Sequence, residues 1–446
     1  MVGAYVAGWA LSPLVTGSSL SDLDIYFWQS AQLGAHGHPF TMYSAHMLDA
    51  YPNANGPLGI LVLTPLAATA NALGWSNDVR VHAGMAGALG GLLAVLLAAE
   101  VVRIARSGGA TITWRLGAPC AILLSPVLWV SLAQYGHLEQ IVEVYLVLLA
   151  AGLSVRNASV RTGVALGLAL LARTTALLYV APLAVTCAAR RGLRSGLRLV
   201  GAAALCAAAG LVPFLAADGA DVTRSLVTYR GDLPIGGGSL WVAFWSGGPS
   251  LIDHADVVLV AVASVALCIW VVRRRPDAAG TTAGVAGLLC VTATCFPMLA
   301  KTVYPYYLFE PYVFGVLWWL ARPGDALNWR AMIPVLLTVD TFLSSWATRL
   351  PLSGLGVVEG VGSSVLLAIV AALIIGDLVR SRMPARDQKT SPRTSTRLAL
   401  TSSRMVTANT PTNTNATLQG SQVSPNRMTP STPNLNAHSA SIPDPS

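Results

Sequence analysis

The sequence has little charge and almost no lysine. Only 11% of its 446 residues are charged, and Lys301 and Lys389 are its only lysines. Soluble globular proteins carry roughly a quarter charged residues, so the composition excludes a water-soluble globular enzyme. The basic charge is mostly arginine, grouped in short segments between apolar runs, as in the cytoplasmic loops of membrane proteins. The net charge of +8 therefore gives little support for nucleic-acid binding.

The chain also lacks a disulfide framework and a metal-binding pattern. Its six cysteines lie within or at the edges of apolar runs and have no metal-ligand spacing, which favours packing roles. His36, His38 and His46 are close in sequence, but no matching acidic set shares a helix face with them. We therefore predict no metal site and no cofactor.

Long apolar runs fill the chain from its first residue to about Arg380, and the mean hydropathy is +0.59. Because a membrane-spanning helix needs about 20 apolar residues, this stretch has room for about 11 to 13 spans. The predicted fold class is an all-α, polytopic transmembrane helical bundle occupying 1–380. The predicted spans are 2–17, 56–74, 80–102, 116–134, 138–154, 162–188, 199–217, 256–272, 279–299, 303–321, 329–346 and 357–378.

Three segments outside the spans are substantial. A first loop at 18–55 and a second loop at 218–255 separate spans, and the second contains Gly236-Gly237-Gly238. Residues 381–446 are rich in Ser, Thr, Pro and Asn and contain few apolar residues. Such a segment cannot bury enough surface to offset its ordering entropy, so we predict a disordered tail.

The basic loops predict the orientation of the chain in the membrane, but the first loop and the arginines at 103–115 cannot both lie on their expected sides. The basic loops place 218–255 outside and the tail in the cytoplasm. If 162–188 is one tilted helix, the first loop lies outside, and so do the arginines at 103–115. If that stretch is two short helices that meet at Arg173, the arginines move inside together with the first loop. We place the first loop outside because of its chemistry.

The first loop holds the densest polar chemistry of the chain, in Asp22-Leu23-Asp24-Ile25-Tyr26. A carboxylate at the membrane boundary can accept a proton from a sugar hydroxyl, which is the task of a general base. Residues two apart lie about 200° apart on a helix, so only one of Asp22 and Asp24 faces a given cleft. The structural alternative is that both aspartates cap a helix that begins near Ile25.

This segment resembles the Asp-Leu-x-Val-Tyr element that follows the first span of GT-C glycosyltransferases. The most similar group is the bacterial polyprenyl-phosphate-mannose-dependent mannosyltransferases of the phosphatidylinositol-mannoside type. Further similar elements follow in the same order along the chain. They are Gly37-His38-Pro39-Phe40, Tyr51-Pro52 with Gly56-Pro57-Leu58, Gln134-Tyr135-Gly136-His137, Gly163 through Arg173, and Tyr304-Pro305-Tyr306-Tyr307.

The resemblance implies a GT-C fold and an inverting transfer of a hexose, most simply mannose. The donor would be a polyprenyl-phosphate sugar, the acceptor a lipid or glycan, and the site would face outward from a bacterial plasma membrane. Asp22 aligns with the catalytic base, and Asp24 is the second choice. The other predicted site residues are Arg173 and Lys301 for the donor phosphate, and Tyr26, His137, Glu139 and Tyr304 for the substrates.

Several of these residues have structural alternatives. Arg173 lies in an apolar run, where a charge is costly unless it is paired; it binds a phosphate or marks a loop between two short helices. Lys301 is either a phosphate ligand or an interfacial anchor. Glu139 and Glu143 bind sugar hydroxyls or pair with an arginine, and Glu310 is expected to pair within the bundle.

Two other functions remain open. A secondary transporter or lipid flippase would show an inverted repeat and broken helices at the membrane midplane. Here the acidic residues concentrate in a loop, which favours the enzyme. The remaining alternative is a scaffold that binds partners through its tail.

Overall fold

The computed structural model of the chain is all-α. It describes residues 1–16, 23, 27–44, 55–108, 114–229, 233, 235–243, 255–321, 329–347 and 355–380. The one sheet within these ranges is a parallel pair of two-residue strands, β1 (Gly236–Gly237) and β2 (Thr302–Val303). The predicted tail lies outside the described residues.

The helices of the first part of the chain differ greatly in length. They are α1 (Val2–Thr16), α2 (Trp28–Ala35), α3 (Pro57–Leu61), α4 (Thr64–Ala72), α5 (Val79–Ser107), α6 (Trp114–Leu123), α7 (Pro126–Trp129), α8 (Leu138–Val155) and α9 (Ser159–Ala172). A π-helical turn, Val130–Tyr135, continues α7. Asp78 caps α5, because its Oδ1 accepts hydrogen bonds from the N–H groups of Arg80 and Val81 at 3.0 and 3.3 Å. The cap satisfies two N–H groups that have no partner within the helix.

The helices of the second part include the centre of the bundle. They are α10 (Leu177–Arg191), α11 (Leu193–Thr223), α12 (Ala255–Arg274), α13 (Thr282–Leu299), α14 (Phe309–Leu320), α15 (Met332–Ala347) and α16 (Leu355–Arg380). Nearly every side chain of α13 is buried, so this helix lies at the core. Within the described ranges six helices are long and apolar enough to cross a membrane: α5, α8, α11, α12, α13 and α16. They support a multi-pass membrane protein.

Arginines gather at one end of the bundle, which we call the arginine end. Arg190 donates hydrogen bonds to the backbone carbonyls of Ser154 and Val155 at 3.0 and 3.2 Å, so α8 and α10 both finish there. Arg275 donates to the carbonyl of Val379 at 2.8 Å, which brings the ends of α12 and α16 together. The helices α8, α10, α12 and α16 therefore all end at the arginine end.

The opposite end, which we call the loop end, gathers the described parts of both predicted loops. Trp28 of α2 stacks on His82 of α5 with ring centroids 4.0 Å apart. Gln32 accepts a hydrogen bond from Asn71 of α4 at 2.7 Å. Strand β1 of the second loop pairs with β2, the strand that directly follows Lys301. Two segments that are distant in sequence thus share one end of the molecule.

The 3₁₀ turn Pro39–Ser44 attaches the first loop to α11. The rings of Phe40 and Tyr43 pack edge-on against Phe214, with centroids 5.4 and 6.1 Å away. The Tyr43 hydroxyl donates to the backbone carbonyl of Asn55 at 2.8 Å. Burial raises the pKa of Tyr43, which keeps the phenol neutral and able to donate this hydrogen bond.

The apolar stretch 56–74 is not a span, which corrects the prediction. Its helices, α3 and α4, have 5 and 9 residues and follow each other within the apolar segment Pro57–Ala72. Gly56 donates to the carbonyl of Ala172 at 3.2 Å and Asn71 bonds to Gln32, so the pair contacts the loop end at both of its termini. Each helix has a proline in its first turn, which starts a new helix rather than extending one.

The stretch 162–188 consists of two antiparallel helices. The first, α9, ends at Arg173, whose backbone is extended (φ −154°, ψ 136°). The second, α10, runs back to the arginine end, where Arg191 donates to the carbonyl of Asn157 at 2.5 Å. Of the two possibilities for this stretch, the structure has two short helices.

These two findings together remove the conflict in the predicted orientation. The stretch 56–74 does not cross the bundle, and 162–188 crosses it twice. Arg103, near the end of α5, therefore lies at the arginine end, where its Nη2 packs against Gly152 of α8. The described parts of the first loop lie at the opposite end, together with those of the second loop.

Candidate functional site

Arg173, at the break between α9 and α10, is the centre of a buried polar cluster. Only 5% of its surface is exposed. Its Nη1 lies 3.1 Å from Oε1 of Glu310 and 3.9 Å from Oε2 of Glu143. Since Glu310 lies in the first turn of α14 and Glu143 in α8, the guanidinium joins three parts of the bundle. Pairing of this kind offsets the cost of burying a charge.

Glu310 is also the acceptor for two neutral donors. The Tyr179 hydroxyl donates to its Oε2, and Nε2 of Gln140 lies 3.3 Å from its Oε1. The same Gln140 nitrogen donates to the backbone carbonyl of Tyr306 at 3.0 Å, while Gln140 Oε1 accepts from the Ser131 hydroxyl at 2.8 Å. The amide thus connects the π-helical turn to the ion pair, and Glu310 has the internal pairing expected for it.

Glu143 is completely buried. The Thr175 hydroxyl lies 2.9 and 3.0 Å from its two carboxylate oxygens. Thr175 belongs to the short 3₁₀ turn that follows Arg173. The carboxyl group is therefore held by the two residues that form the break between α9 and α10.

His137 and Glu139 form a second buried pair where α8 begins. The His137 Nδ1 lies 2.5 Å from Oε1 of Glu139. Gly136 precedes the pair with a left-handed backbone (φ 78°), which ends the π-helical turn. The His137 ring lies 4.0 Å from the ring of Tyr306 and 5.7 Å from that of Phe27. The imidazole thus contacts both the first loop and the segment before α14.

A glycine allows α3 to approach this pair closely. A Cβ atom at Gly59 would lie 2.5 Å from the Cβ of Glu139 and 3.0 Å from the backbone oxygen of Ala172. Real Cβ contacts are not this short, so a side chain at this position would push α3 away. Gly59 therefore fixes the distance between α3 and the cluster.

Tyrosines form one wall of the cluster. The Arg173 Cζ lies 5.7 and 5.5 Å from the ring centroids of Tyr306 and Tyr307, within the range of cation–π attraction. Tyr304 stacks on Tyr306 with an interplanar angle of 10° and centroids 5.4 Å apart. Tyr135 meets Tyr306 edge-on at 4.8 Å. Tyr304 and Tyr135 are half-buried and are the accessible parts of this wall.

Lys301 lies beside the tyrosines on the segment that carries β2. Its N–H donates to Oδ2 of Asp256 at 2.9 Å, and its carbonyl accepts from the N–H of Gly236 at 3.1 Å. The whole residue is buried, which differs from an interfacial anchor whose ammonium group reaches water. Lys301 therefore helps to hold the second loop against the cluster.

The structure brings most of the described predicted site residues into one contiguous cluster. These residues are His137, Glu139, Arg173 and Tyr304, and they are joined through Tyr306. The predicted Asp22, Asp24 and Tyr26 lie outside the described residues, and their roles stay predictions. Their described neighbours Leu23 and Phe27 are buried.

Sequence reasoning missed part of this network, namely Gln140, Thr175 and Tyr179. A signal for Gln140 was present, because a polar side chain inside a membrane helix marks a functional or paired position. Tyr179 gave no such signal, since an aromatic residue in an apolar run is expected to pack. The carboxylate that accepts its hydrogen bond belongs to Glu310, which is 131 residues away in the chain.

A groove with a volume of about 1230 Å³ lies on the side of the bundle, and we call it the lateral groove. It is formed by α1, by α6 and α7 with the π-helical turn, and by α15. Its apolar lining includes Tyr5, Trp9, Leu124, Trp129 and Phe342, and its polar lining includes Ser12, Gln134 and Ser345. Because Tyr135 follows Gln134, the groove and the polar cluster share the π-helical turn.

Comparison with known proteins does not assign the chain to a family. The geometry of the cluster and of the lateral groove must therefore support any functional conclusion. Neither a scan against protein-family models nor a search of curated proteins finds a match.

Proposed function

We propose that the protein is a membrane glycosyltransferase of the GT-C type that moves a hexose, most simply mannose, from a polyprenyl-phosphate donor to an acceptor. The observation that carries this proposal is the convergence of the first loop, strand β1 and the segment 301–310 at one end of the bundle, next to the lateral groove. A lipid-carried sugar needs this combination. Its chain stays among apolar side chains, while its phosphate and sugar reach a polar site at the membrane boundary.

We propose that the arginine end faces the cytoplasm of a bacterial cell and that the loop end faces outward across the plasma membrane. The positive-inside rule supports this orientation. Arg190, Arg191 and Arg275 lie at the arginine end. The proposed active site is then extracytoplasmic, as a donor presented on the outer face requires.

The proposed reaction is one inverting displacement. The carboxylate of Asp22, or of Asp24 as second choice, takes the proton of an acceptor hydroxyl. The hydroxyl oxygen forms a bond to the anomeric carbon, and the bond from that carbon to the donor phosphate oxygen breaks. Polyprenyl phosphate leaves with the electron pair and carries the negative charge, which a nearby cation stabilises.

Arg173 and Lys301 are the proposed cationic partners of the phosphate. Arg173 already bonds to Glu310 through Nη1, so a phosphate must share the five N–H donors of the guanidinium with that carboxylate. The remaining proposed substrate contacts, which lie around the same cluster or in the first loop, are Tyr26, His137, Glu139 and Tyr304.

Substitution of the two aspartates tests this function. In membranes supplied with radiolabelled polyprenyl-phosphate mannose, Asp22→Asn should lower sugar transfer by about 100-fold or more, because a general base contributes on the order of 10²–10⁴. Asp277→Asn, an exposed aspartate near the arginine end, is the matched control and should keep full activity. If Asp22→Asn and Asp24→Asn both transfer sugar at the parental rate with unchanged abundance, the base is neither of them.

Proton-coupled transport is the second candidate. The buried cluster favours it, because three carboxyl groups (Glu139, Glu143 and Glu310), a histidine and an arginine inside a helical bundle are typical of proton relays. Purified protein in liposomes distinguishes the two functions. A pH gradient that drives solute movement in the absence of sugar donor indicates transport, whereas donor-dependent product without such movement indicates transfer.

A further inference from the structure

The lateral groove runs along α1 from Tyr5 to Ser12. Tyr5 and Leu123 meet at one part of it through a hydrogen bond from the tyrosine hydroxyl to the leucine carbonyl, 2.9 Å long. Farther along α1, Trp9 packs against Trp129 with ring centroids 5.2 Å apart. Ser12, still farther along α1 and nearer the loop end, also lines the groove. The groove thus extends along α1 toward the loop end, and polar and apolar side chains both line it.

All three walls of the groove supply polar side chains. Ser12 comes from α1, Ser125 and Gln134 from the wall that contains α7 and the π-helical turn, and Thr341 and Ser345 from the second half of α15. Hydroxyl and amide groups both donate and accept hydrogen bonds. A ligand head group that carries hydroxyls fits such a lining.

The described residues that line the lateral groove include no charged side chain. An anionic head group in a low-dielectric site needs a cation or several N–H donors. The cationic residues proposed for the donor phosphate, Arg173 and Lys301, do not line the groove. The groove therefore suits an uncharged head group better than a phosphate.

We propose that the lateral groove is the acceptor site, and that the acceptor is a lipid with an uncharged, hydroxyl-bearing head group. This inference rests on the proposed function and identifies the acceptor class that the function leaves open. The hydrocarbon chains lie along Tyr5, Trp9 and Trp129, and the head group lies at Ser12 and Gln134.

The chain connects this head-group position to the polar cluster directly. Tyr135 follows Gln134, and its ring lies 4.8 Å from that of Tyr306 and 6.2 Å from that of His137. A hydroxyl held at Gln134 is therefore one residue along the chain from the wall of tyrosines. An acceptor hydroxyl must reach this side of the cluster to attack a sugar held there.

Photo-crosslinking tests the proposal without requiring sugar transfer. The probes are diacylglycerol, phosphatidylglycerol and polyprenyl phosphate, each with a diazirine on its hydrocarbon chain, applied to the purified full-length protein in micelles. We expect diacylglycerol to label the peptides that contain Trp129 and Phe342 about tenfold more than phosphatidylglycerol does, which corresponds to about 1.4 kcal/mol.

Two glycines of α1 provide a matched pair of variants. Neither Gly3 nor Gly8 has an atom within 4 Å of the position of an added Cβ, and Gly8 lines the groove. Gly8→Trp should fill the groove and abolish diacylglycerol labelling, whereas Gly3→Trp should leave it unchanged. Gln134→Arg should shift the preference toward phosphatidylglycerol.

The outcomes separate this inference from the proposed function. Equal labelling by the neutral and anionic probes, stronger labelling by polyprenyl phosphate, or labelling that Gly8→Trp does not affect would each overturn the inference, even if mannose transfer is intact. If diacylglycerol labels the groove selectively but no donor supports transfer, the lipid site stands and the transferase function fails, together with the acceptor role.

Discussion

Arg173 shows how a buried charge in an apolar bundle depends on partners that are distant in sequence. Glu310, its main partner, is 137 residues away along the chain and lies 3.1 Å away in space. Removal of one member of a buried ion pair leaves the other charge without compensation, which costs more than the pair itself contributes. The same pairing makes Arg173 a poor ligand for an incoming anion unless the carboxylate shares it.

Substitution of the buried pair should destabilise the protein strongly. We expect Glu310→Gln to lower the free energy of unfolding by about 3–5 kcal/mol, measured by chemical denaturation in micelles. Glu100→Gln is the control and should cost less, because Glu100 is buried but its partner Arg103 is 39% exposed, so water can solvate the arginine after the substitution. Similar losses for the two variants would show that Glu310 does not stabilise Arg173.

Among the elements, α3 is packed closely against its neighbours. Its contact with α8 depends on the missing side chain at Gly59, since the Cβ of Glu139 and the backbone oxygen of Ala172 occupy the space. The helix cannot shift along α8 without losing the hydrogen bond from Gly56 to Ala172. Gly56, at the start of α3, is thereby held beside the end of α9.

Alanine substitutions in two helices should therefore have opposite effects. Gly59→Ala should displace α3 and lower both thermal stability and sugar transfer, because its Cβ would lie 2.5 Å from that of Glu139. Gly201→Ala in α11 meets open space and should stabilise the protein by about 0.5–1 kcal/mol through the better helix propensity of alanine. A neutral Gly59→Ala variant would mean that α3 does not pack as described.

Sequence reasoning predicted the helical, multi-pass class well, because apolar length and low charge are local properties. It failed at 56–74 because hydropathy records apolar content and does not record that both ends of this segment lie at the loop end. The site was predictable only in part. His137, Glu139 and Arg173 are visible as polar groups in apolar surroundings, but the contact of Arg173 with Glu310 depends on how distant helices pack.

At the scale of the whole molecule, the two ends of the bundle differ in chemistry. Arginines hold helix ends together at one of them, and both predicted loops meet at the other. This polarity agrees with the positive-inside rule. The orientation in the membrane is thus open to a direct test.

Cysteine labelling in intact cells should report this orientation. In a Cys120→Ser background, Ser44→Cys at the loop end should react with a membrane-impermeant thiol reagent, because Ser44 is exposed. Ser107→Cys, exposed at the arginine end, should react only after the cells are permeabilised. Reaction of Ser107→Cys alone in intact cells would reverse the assigned orientation and place the polar cluster at the cytoplasmic face.

The length of α11 has a structural consequence. Its 31 residues correspond to about 46 Å, more than the hydrocarbon layer needs, and its backbone departs from helical geometry at Asp218 (φ −156°, ψ 61°). Phe214, which supports Phe40 and Tyr43, precedes this break. The break therefore separates the part of α11 that supports the described residues of the first loop from the part that leads into the second loop.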